Sequence, residues 1–264
     1  MSDPKQSPED ELAGTEQPFV THLMELRDRL IKALVAVGVV AVALGFFPGA
    51  GQLYDLLAAP LVAHLPKGAT MIATSVISPF MVPLKILLMA AFLIALPVVL
   101  HQVWAFVAPG LYSHEKKLVL PLVVSSTLLF FAGVAFCYFF VFGKVFAFIQ
   151  QFAPQSITAA PDIEAYLSFV LTMFLAFGLA FEVPVAVVVL AKVGVVNVQQ
   201  LKDFRGYFWV SAAIVCAIVT PPDVVSMASL LIPMGLLYEV GIWVTQLFIR
   251  NTQASEDEAK TAET

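Results

Sequence analysis

The sequence predicts an all-α, polytopic membrane protein with six transmembrane helices. Hydrophobic residues make up 60% of the 264-residue chain, and charged residues only 12%. The apolar residues are concentrated in long runs, and about 20 consecutive apolar residues suffice to cross the hydrocarbon core of a bilayer. The mean hydropathy is +0.90. A soluble protein of this size could not cover so much apolar surface.

Polar connections rich in proline and glycine separate six apolar segments. We predict spans at residues 31–47, 84–107, 118–142, 166–191, 207–220 and 224–238, within a membrane domain of residues 19–250. Residues 1–18 and 251–264 are polar and acidic, and we predict that they are disordered cytoplasmic tails. The fifth span has 14 residues and the sixth has 15 before Glu239. Both are short, since 14 residues of helix extend only about 21 Å.

The distribution of basic residues predicts how the chain is oriented. Six spans place both termini on one side of the membrane, and eleven of the fourteen Lys and Arg residues then fall on that side. Cytoplasmic loops of membrane proteins are enriched in Lys and Arg. We therefore predict an N-in, C-in orientation, with Lys67, Lys85 and Lys144 on the outer side.

The sequence contains none of the common motifs of enzyme sites. It lacks a GxxxxGK phosphate loop, an HExxH zinc motif and a GxSxG nucleophile motif, and its four histidines lie in different segments. Cys137 and Cys216 lie singly within apolar runs, so we predict no metal site and no cofactor. We expect a non-enzymatic protein without a nucleic-acid partner. A partner or a membrane gradient must then drive any work it performs.

Two charged segments face the predicted cytoplasm. Glu25 and Arg29, in the amphipathic segment before span 1, have the i,i+4 spacing of a helical ion pair. The simplest interpretation of this segment is a membrane-surface face that anchors span 1. Glu115, in the loop after span 2, follows the aromatic residues Phe106 and Tyr112 and precedes two lysines. Such an acid can receive a cationic peptide, or it can be a solvated acid favoured by the dipole of the next helix.

Glu182 lies inside span 4, two residues before Pro184. Its distance from the cytoplasmic end of the span is nine residues, or about 13 Å. An ionised carboxylate at that depth costs several kcal/mol unless it is neutralised, hydrated or paired. Pro184 lacks an N–H group and is predicted to bend the helix. Two interpretations remain open for Glu182, a protonated acid hydrogen-bonded to a neighbouring span and a functional acid.

Five segments together resemble the TatC family, the multispanning core component of the twin-arginine protein translocase. They stand in the order and spacing of that family at residues 22–30, 78–80, 102–117, 177–185 and 220–223. The resemblance covers about residues 19–248. It implies a concave, glove-like bundle with short fifth and sixth spans, located in the cytoplasmic (inner) membrane of a bacterium.

The resemblance also implies a function. Members of this family bind signal peptides with paired arginines at the cytoplasmic face and recruit single-span partners, TatA-like and TatB-like proteins. The complex exports folded proteins by means of the proton-motive force, and we expect homo-oligomers of the chain within it. The signal-binding residues implied here are Glu25, Arg27, Phe106, Tyr112 and Glu115.

Three further residues have implied roles. Glu182 is the intramembrane acid that responds to partners, and Thr220 and Met227 contact the partner spans. Met227 departs from the family pattern, which often has glutamine at this position. A softer, apolar contact is therefore predicted there.

Two other functions are compatible with six spans and one intramembrane acid. The chain could be a proton-coupled small-molecule transporter that uses Glu182, or a structural scaffold for other membrane proteins. A transporter usually has several polar groups around a midplane site, whereas this chain has chiefly Glu182. Co-purification with an arginine-pair peptide, with a small solute or with neither distinguishes the three.

Overall fold

The fold is helical almost throughout. The computed structural model describes residues 8–55, 72–107, 116–152, 162–220 and 223–262. Within these ranges the β-structure consists of one isolated parallel bridge, between Ile72 and Asp162. In the described part of the chain, five helices are long and apolar enough to cross a membrane, and the shorter apolar helix Arg205–Val219 supplies a sixth span. The predicted all-α, multi-pass membrane fold is confirmed.

Most spans consist of one helix, and spans 3 and 4 contain breaks. The helices whose two ends are described are α1 (Pro8–Phe46), α2 (Ser78–Val107), α3 (Lys116–Phe136), α4 (Phe142–Phe152), α5 (Ile163–Phe181), α6 (Val183–Lys192), α7 (Val198–Asp203), α8 (Arg205–Val219) and α9 (Val224–Ala262). A π-helix of five residues, Cys137–Val141, joins α3 to α4. The bends and breaks arise within continuous apolar segments, so they do not change the number of spans.

The apolar spans overlap the predicted segments, but span 1 begins at Val20, 11 residues before its predicted start, and span 6 extends to Leu247, nine residues beyond its predicted end. Their apolar parts are Val20–Phe46, Ser78–Val107, Val119–Val145, Ile163–Lys192, Arg205–Val219 and Val224–Leu247. Span 5 is short as predicted, with 15 residues and a length of about 22 Å. Span 6 continues through Glu239, whose carboxylate accepts a hydrogen bond from Arg205 at 2.6 Å. This ion pair compensates the charge that interrupts the apolar sequence.

The first and last helices extend into both segments that were predicted as disordered tails. α1 begins at Pro8 and α9 ends at Ala262. The prediction considered the charge of these segments but not their helix propensity, and both contain Ala and Glu, which are strong helix formers. The division into a membrane domain and two tails stays a prediction.

Span 4 is interrupted where the sequence predicts a bend. α5 ends at Phe181, α6 begins at Val183, and Glu182 lies between them. Pro184 falls in the first turn of α6, where its missing N–H group is tolerated. The Glu182 N–H donates to the carbonyl oxygen of Leu179 at 3.1 Å, one residue closer than in a regular α-helix. The acid therefore stands at a discontinuity in the helix.

Two glycines allow spans 3 and 4 to approach each other closely. A Cβ atom on Gly133 would lie 2.4 Å from the carbonyl oxygen of Phe177, and one on Gly178 would lie 2.4 Å from the ring of Phe130. Both distances are far below van der Waals contact. Small residues at these two positions thus allow the helices to pack closely, as is common in membrane helix pairs.

Replacement of Gly133 by alanine should therefore separate spans 3 and 4. We expect Gly133→Ala to lower the free energy of unfolding by about 1–3 kcal/mol, because the new methyl group meets backbone atoms that cannot rotate away. The control is Gly38→Ala in span 1, where nothing lies within 4 Å of the added Cβ. Denaturation of the two variants in mixed detergent micelles measures the difference. Equal stability would contradict this packing.

A polar network joins the segment before span 2 to the start of span 4. It lies on the side of the membrane at which span 1 ends. Asp162 caps α5 by accepting hydrogen bonds from the N–H groups of Glu164 and Ala165. The backbone N–H and the hydroxyl of Thr74 also donate to Asp162. Glu164 accepts from Ser78 at 2.6 Å and from Lys85 at 2.8 Å. Charge pairing and capping therefore fix spans 2 and 4 together at this end.

The cap at Asp162 predicts an acid-sensitive contribution to stability. The hydroxyl of Thr74, with the N–H groups of Ala165 and Thr74, lowers the pKa of Asp162 from its ordinary value of 3.8 to about 2. A lowered pKa in the folded state contributes stability above the ordinary value, and this contribution is lost as the pH falls towards 2. The melting temperature of the wild type should decline in that range, whereas that of Asp162→Asn should be lower at neutral pH and less dependent on pH. Parallel pH curves for the two proteins would refute the assignment.

Candidate functional site

The start of span 1 contacts the end of span 2. The imidazole ring of His22 stacks on the ring of Phe106, with centroids 4.4 Å apart and an interplanar angle of 15°. We call this side of the membrane the basic side, because Arg27 and Arg29 lie here at the start of span 1 and Lys192 lies at the end of span 4. The stack brings Glu25, one helical turn from His22, close to Phe106. Two residues of the predicted signal site, Glu25 and Phe106, are thus near one another.

The carboxylate of Glu25 already binds a guanidinium group. Its Oε1 atom accepts hydrogen bonds from Arg29, at 2.9 Å from Nε and 2.6 Å from Nη2. Its Oε2 atom lies 3.9 Å from Nδ1 of His22. The predicted i,i+4 pair of Glu25 and Arg29 is confirmed. Since the Glu25 side chain is still 35% exposed, an incoming cation can reach it but must compete with Arg29.

Arg27 lies on the same helix and binds a different acid. Its guanidinium group donates to Oδ1 of Asp28 at 2.8 and 3.0 Å. Both side chains are more than half exposed, so this pair contributes less than about 1 kcal/mol to stability. The other two predicted signal-binding residues, Tyr112 and Glu115, lie outside the described residues.

Among the described residues, Glu182 is the acid that is buried, with 8% of its surface exposed. The hydroxyl of Ser126, on span 3, is the polar group that faces the carboxyl. No hydrogen bond of normal geometry joins the two, and both oxygens of Glu182 lack a partner among the described residues. Ser126 in turn accepts a hydrogen bond from the indole N–H of Trp104 at 2.8 Å. A line of polar groups thus runs from the end of span 2 through span 3 to Glu182.

Sequence reasoning did not find Ser126 as a neighbour of Glu182, nor Trp104 as the partner of Ser126. The available signal was the run of three hydroxyl residues, Ser125, Ser126 and Thr127, within an otherwise apolar span. Ser125 and Thr127 donate to backbone carbonyl groups of their own helix, and only the middle residue faces the acid. The direction of each side chain depends on how spans 3 and 4 pack, which a single apolar pattern does not specify.

Thr220 and Met227 lie where spans 5 and 6 meet. Thr220 is buried, and its hydroxyl donates to the carbonyl oxygen of Cys216 at 2.9 Å. Met227 packs partly buried against the cluster that contains Cys137, Met173 and Phe177. Both residues therefore have a role inside the fold, and their contact with partner spans stays a prediction.

A known protein family and several of its members resemble this chain. The family model described as "Sec-independent protein translocase protein (TatC)" matches residues 21–233. The chain belongs to the TatC family. The TatC protein of Haemophilus influenzae is 47% identical over 243 residues, which cover 92% of this chain and 93% of that protein. The TatC protein of Escherichia coli is 46% identical over 241 residues, with 91% and 93% covered.

A solved structure agrees with this membership. The crystal structure titled as the twin arginine translocase receptor TatC is 39% identical and superimposes with a TM-score of 0.73, covering 86% of this chain and 98% of that one. The six spans and the short fifth span of this TatC-family chain are consistent with the predicted glove-like shape. The alternative of a small-molecule transporter receives no support from these matches.

The environment of Glu182 predicts that the fold does not need its charge. Glu182→Gln should keep the stability of the wild type to within about 1 kcal/mol, since no hydrogen bond of normal geometry is lost. The control is Ser78→Ala, which removes a fully buried hydroxyl that donates to Glu164 and should cost about 1–3 kcal/mol. Unfolding in mixed micelles measures both variants. A loss for Glu182→Gln as large as for Ser78→Ala would mean that the carboxyl group holds the fold together.

Proposed function

We propose that this TatC-family chain is the receptor and core subunit of a twin-arginine translocase. It binds signal peptides with paired arginines at its basic side, recruits single-span partners and exports folded proteins by means of the proton-motive force. The observation that carries the proposal is the guanidinium-binding geometry of Glu25 beside the His22–Phe106 stack, within a chain of this family.

Arg29 serves as an internal substitute for a substrate arginine. Its two hydrogen bonds to Glu25 are the kind of contact that a planar guanidinium group makes and that a lysine ammonium group makes poorly. A signal arginine can take the place of Arg29 at Oε1 or approach Oε2 beside His22. The aromatic stack and the membrane surface shelter the site, which strengthens a charge pair relative to one in open water.

We place the second acid, Glu115, on the other side of the arginine pair. The loop that carries it connects spans 2 and 3, and the end of span 2 lies against the start of span 1 through Phe106. Glu115 directly precedes Lys116, the first residue of α3. Each acid would then bind one guanidinium group, with Tyr112 and Phe106 as apolar neighbours and Arg27 setting the local charge.

The orientation follows from the same site. Signal peptides reach the translocase from the cytoplasm, so the basic side is the cytoplasmic face and both termini lie there. Eleven of fourteen basic residues agree with this orientation. The membrane is the inner membrane of a bacterium, in keeping with the bacterial sources of the relatives.

Glu182 is the residue that we assign to the response to partners and to the proton gradient. Both oxygens of this buried acid lack a hydrogen-bond partner among the described residues, and ionisable groups inside the membrane are commonly functional. The TatA-like and TatB-like partners dock near Thr220 and Met227, where spans 5 and 6 are joined. Copies of the chain associate with one another in the receptor complex, and no enzymatic activity is involved.

Binding of a labelled signal peptide to purified variants tests the receptor site. We expect Glu115→Lys nearly to abolish binding, and Glu25→Gln to weaken it by about tenfold or more, since a hydrogen bond to a charged group contributes about 1.5–3 kcal/mol. Arg29→Gln should strengthen binding severalfold, because it removes the competitor at Oε1. A peptide with two lysines should bind weakly to every variant.

The control for Arg29→Gln is Lys32→Gln, which changes the net charge of the same helix by the same amount. If both variants strengthen binding equally, the effect is one of general charge and not of competition at Glu25. Unchanged affinity in both Glu25→Gln and Glu115→Lys, with the fold confirmed, would show that the arginine pair is recognised elsewhere.

A further inference from the structure

An apolar crevice lies between spans 3, 4 and 6, away from the contact between spans 1 and 2. Its volume is about 460 Å³, within the range of about 300–1,000 Å³ typical of ligand sites. Span 3 contributes Pro121 and Leu129, span 4 contributes Pro184 and Lys192, and span 6 contributes Leu237 and Val244. No residue of the candidate signal site lines it.

The crevice runs along the helix axes from the basic side into the membrane. Pro121 and Leu129 are eight residues apart, as are Pro184 and Lys192, and Leu237 and Val244 are seven apart. Each interval is about 10–12 Å of helix. Because Lys192 ends α6 and Pro121 lies near the start of α3, both stand at the same end. The mouth of the crevice is thus at the membrane surface, and its base is near the break in span 4.

The walls offer only hydrocarbon to an occupant. The hydroxyl of Ser125 donates to the carbonyl oxygen of Leu122 at 2.9 Å and so is already bonded. At the base, Gly241 permits spans 4 and 6 to touch, since a Cβ there would lie 3.0 Å from the Cα atom of Pro184. Val240, on the rim, is 47% exposed. The crevice is therefore closed towards the bundle and open towards the lipid.

The lining of the crevice selects among the molecules that a membrane offers. Its walls are apolar along about 12 Å of helix. A flexible hydrocarbon chain can fill such a crevice without leaving a polar group unpaired.

The charge at the mouth identifies the rest of the ligand. Lys192 is an exposed cation at the membrane surface on the basic side, at the level of lipid headgroups. Lysine binds phosphate groups as a compact point charge. We propose that this crevice is a specific phospholipid site, which takes one acyl chain of the leaflet on the basic side and holds an anionic headgroup at Lys192.

Native mass spectrometry of the detergent-purified chain tests the site. The protein is titrated with phosphatidylglycerol or with phosphatidylcholine of the same acyl chains. The wild type should bind one phosphatidylglycerol molecule at least about fivefold more tightly than phosphatidylcholine, as expected for one lysine near an anionic headgroup. Lys192→Gln should remove this preference, and Val188→Trp, which fills the crevice, should remove the bound lipid.

Two controls separate the site from general effects of charge and size. Lys202→Gln removes a basic residue elsewhere on the basic side, and Val210→Trp enlarges an exposed position on span 5. Both should bind lipid as the wild type does. Because Lys192 is exposed, Lys192→Gln stays informative if Val188→Trp does not fold. Equal binding of the two lipids by the wild type, or an unchanged preference in Lys192→Gln, would overturn the proposal.

Discussion

The low dielectric constant of the hydrocarbon core is the constraint on which the rest of this structure depends. A charge inside the membrane must be paired, hydrated or neutralised. Two ion pairs between described spans follow this rule. Lys85 of span 2 binds Glu164 of span 4, and Arg205 at the start of span 5 binds Glu239 of span 6. Both pairs join neighbouring spans, so each interaction neutralises charge and also holds two helices in position. Glu182 departs from this pattern of ion pairs, because its oxygens have no hydrogen-bond partner among the described residues.

That departure connects the fold to the function. Close contact at Gly133 and Gly178 packs span 4 against span 3, and the break before Pro184 places the acid at this contact. Ser126 and Trp104 then extend the polar groups towards the basic side. The same end of span 2 carries Phe106, whose ring stacks on His22 near Glu25. The intramembrane acid and the proposed signal site are therefore linked through one helix end, which offers a physical route for coupling between them.

Sequence patterns were sufficient to predict the architecture because it depends on local properties of the chain. Apolar length determines how many helices cross the membrane, and a proline two residues after Glu182 indicates where span 4 breaks. The i,i+4 spacing of Glu25 and Arg29 predicts their ion pair, since both lie on one turn of one helix. Charge favours disorder in the two tails, whereas their Ala and Glu residues favour the helices α1 and α9, which extend into them. The motifs at residues 22–30 and 102–117 also indicated the family, although two of the five residues of the implied signal site lie outside the described residues.

The sequence by itself determined the all-helical fold, the six spans, the short fifth span and the acid at the break in span 4. Only the tertiary structure decided which residues from different spans meet. It stacks His22 on Phe106, turns Ser126 and not Ser125 or Thr127 towards Glu182, buries Thr220 in its own helix end, and leaves an open crevice beside Lys192. The physical reason is that hydrophobicity determines which segments enter the membrane but does not determine which face of an apolar helix contacts a neighbouring span. That choice depends on close packing at small residues and on a few polar contacts between distant segments.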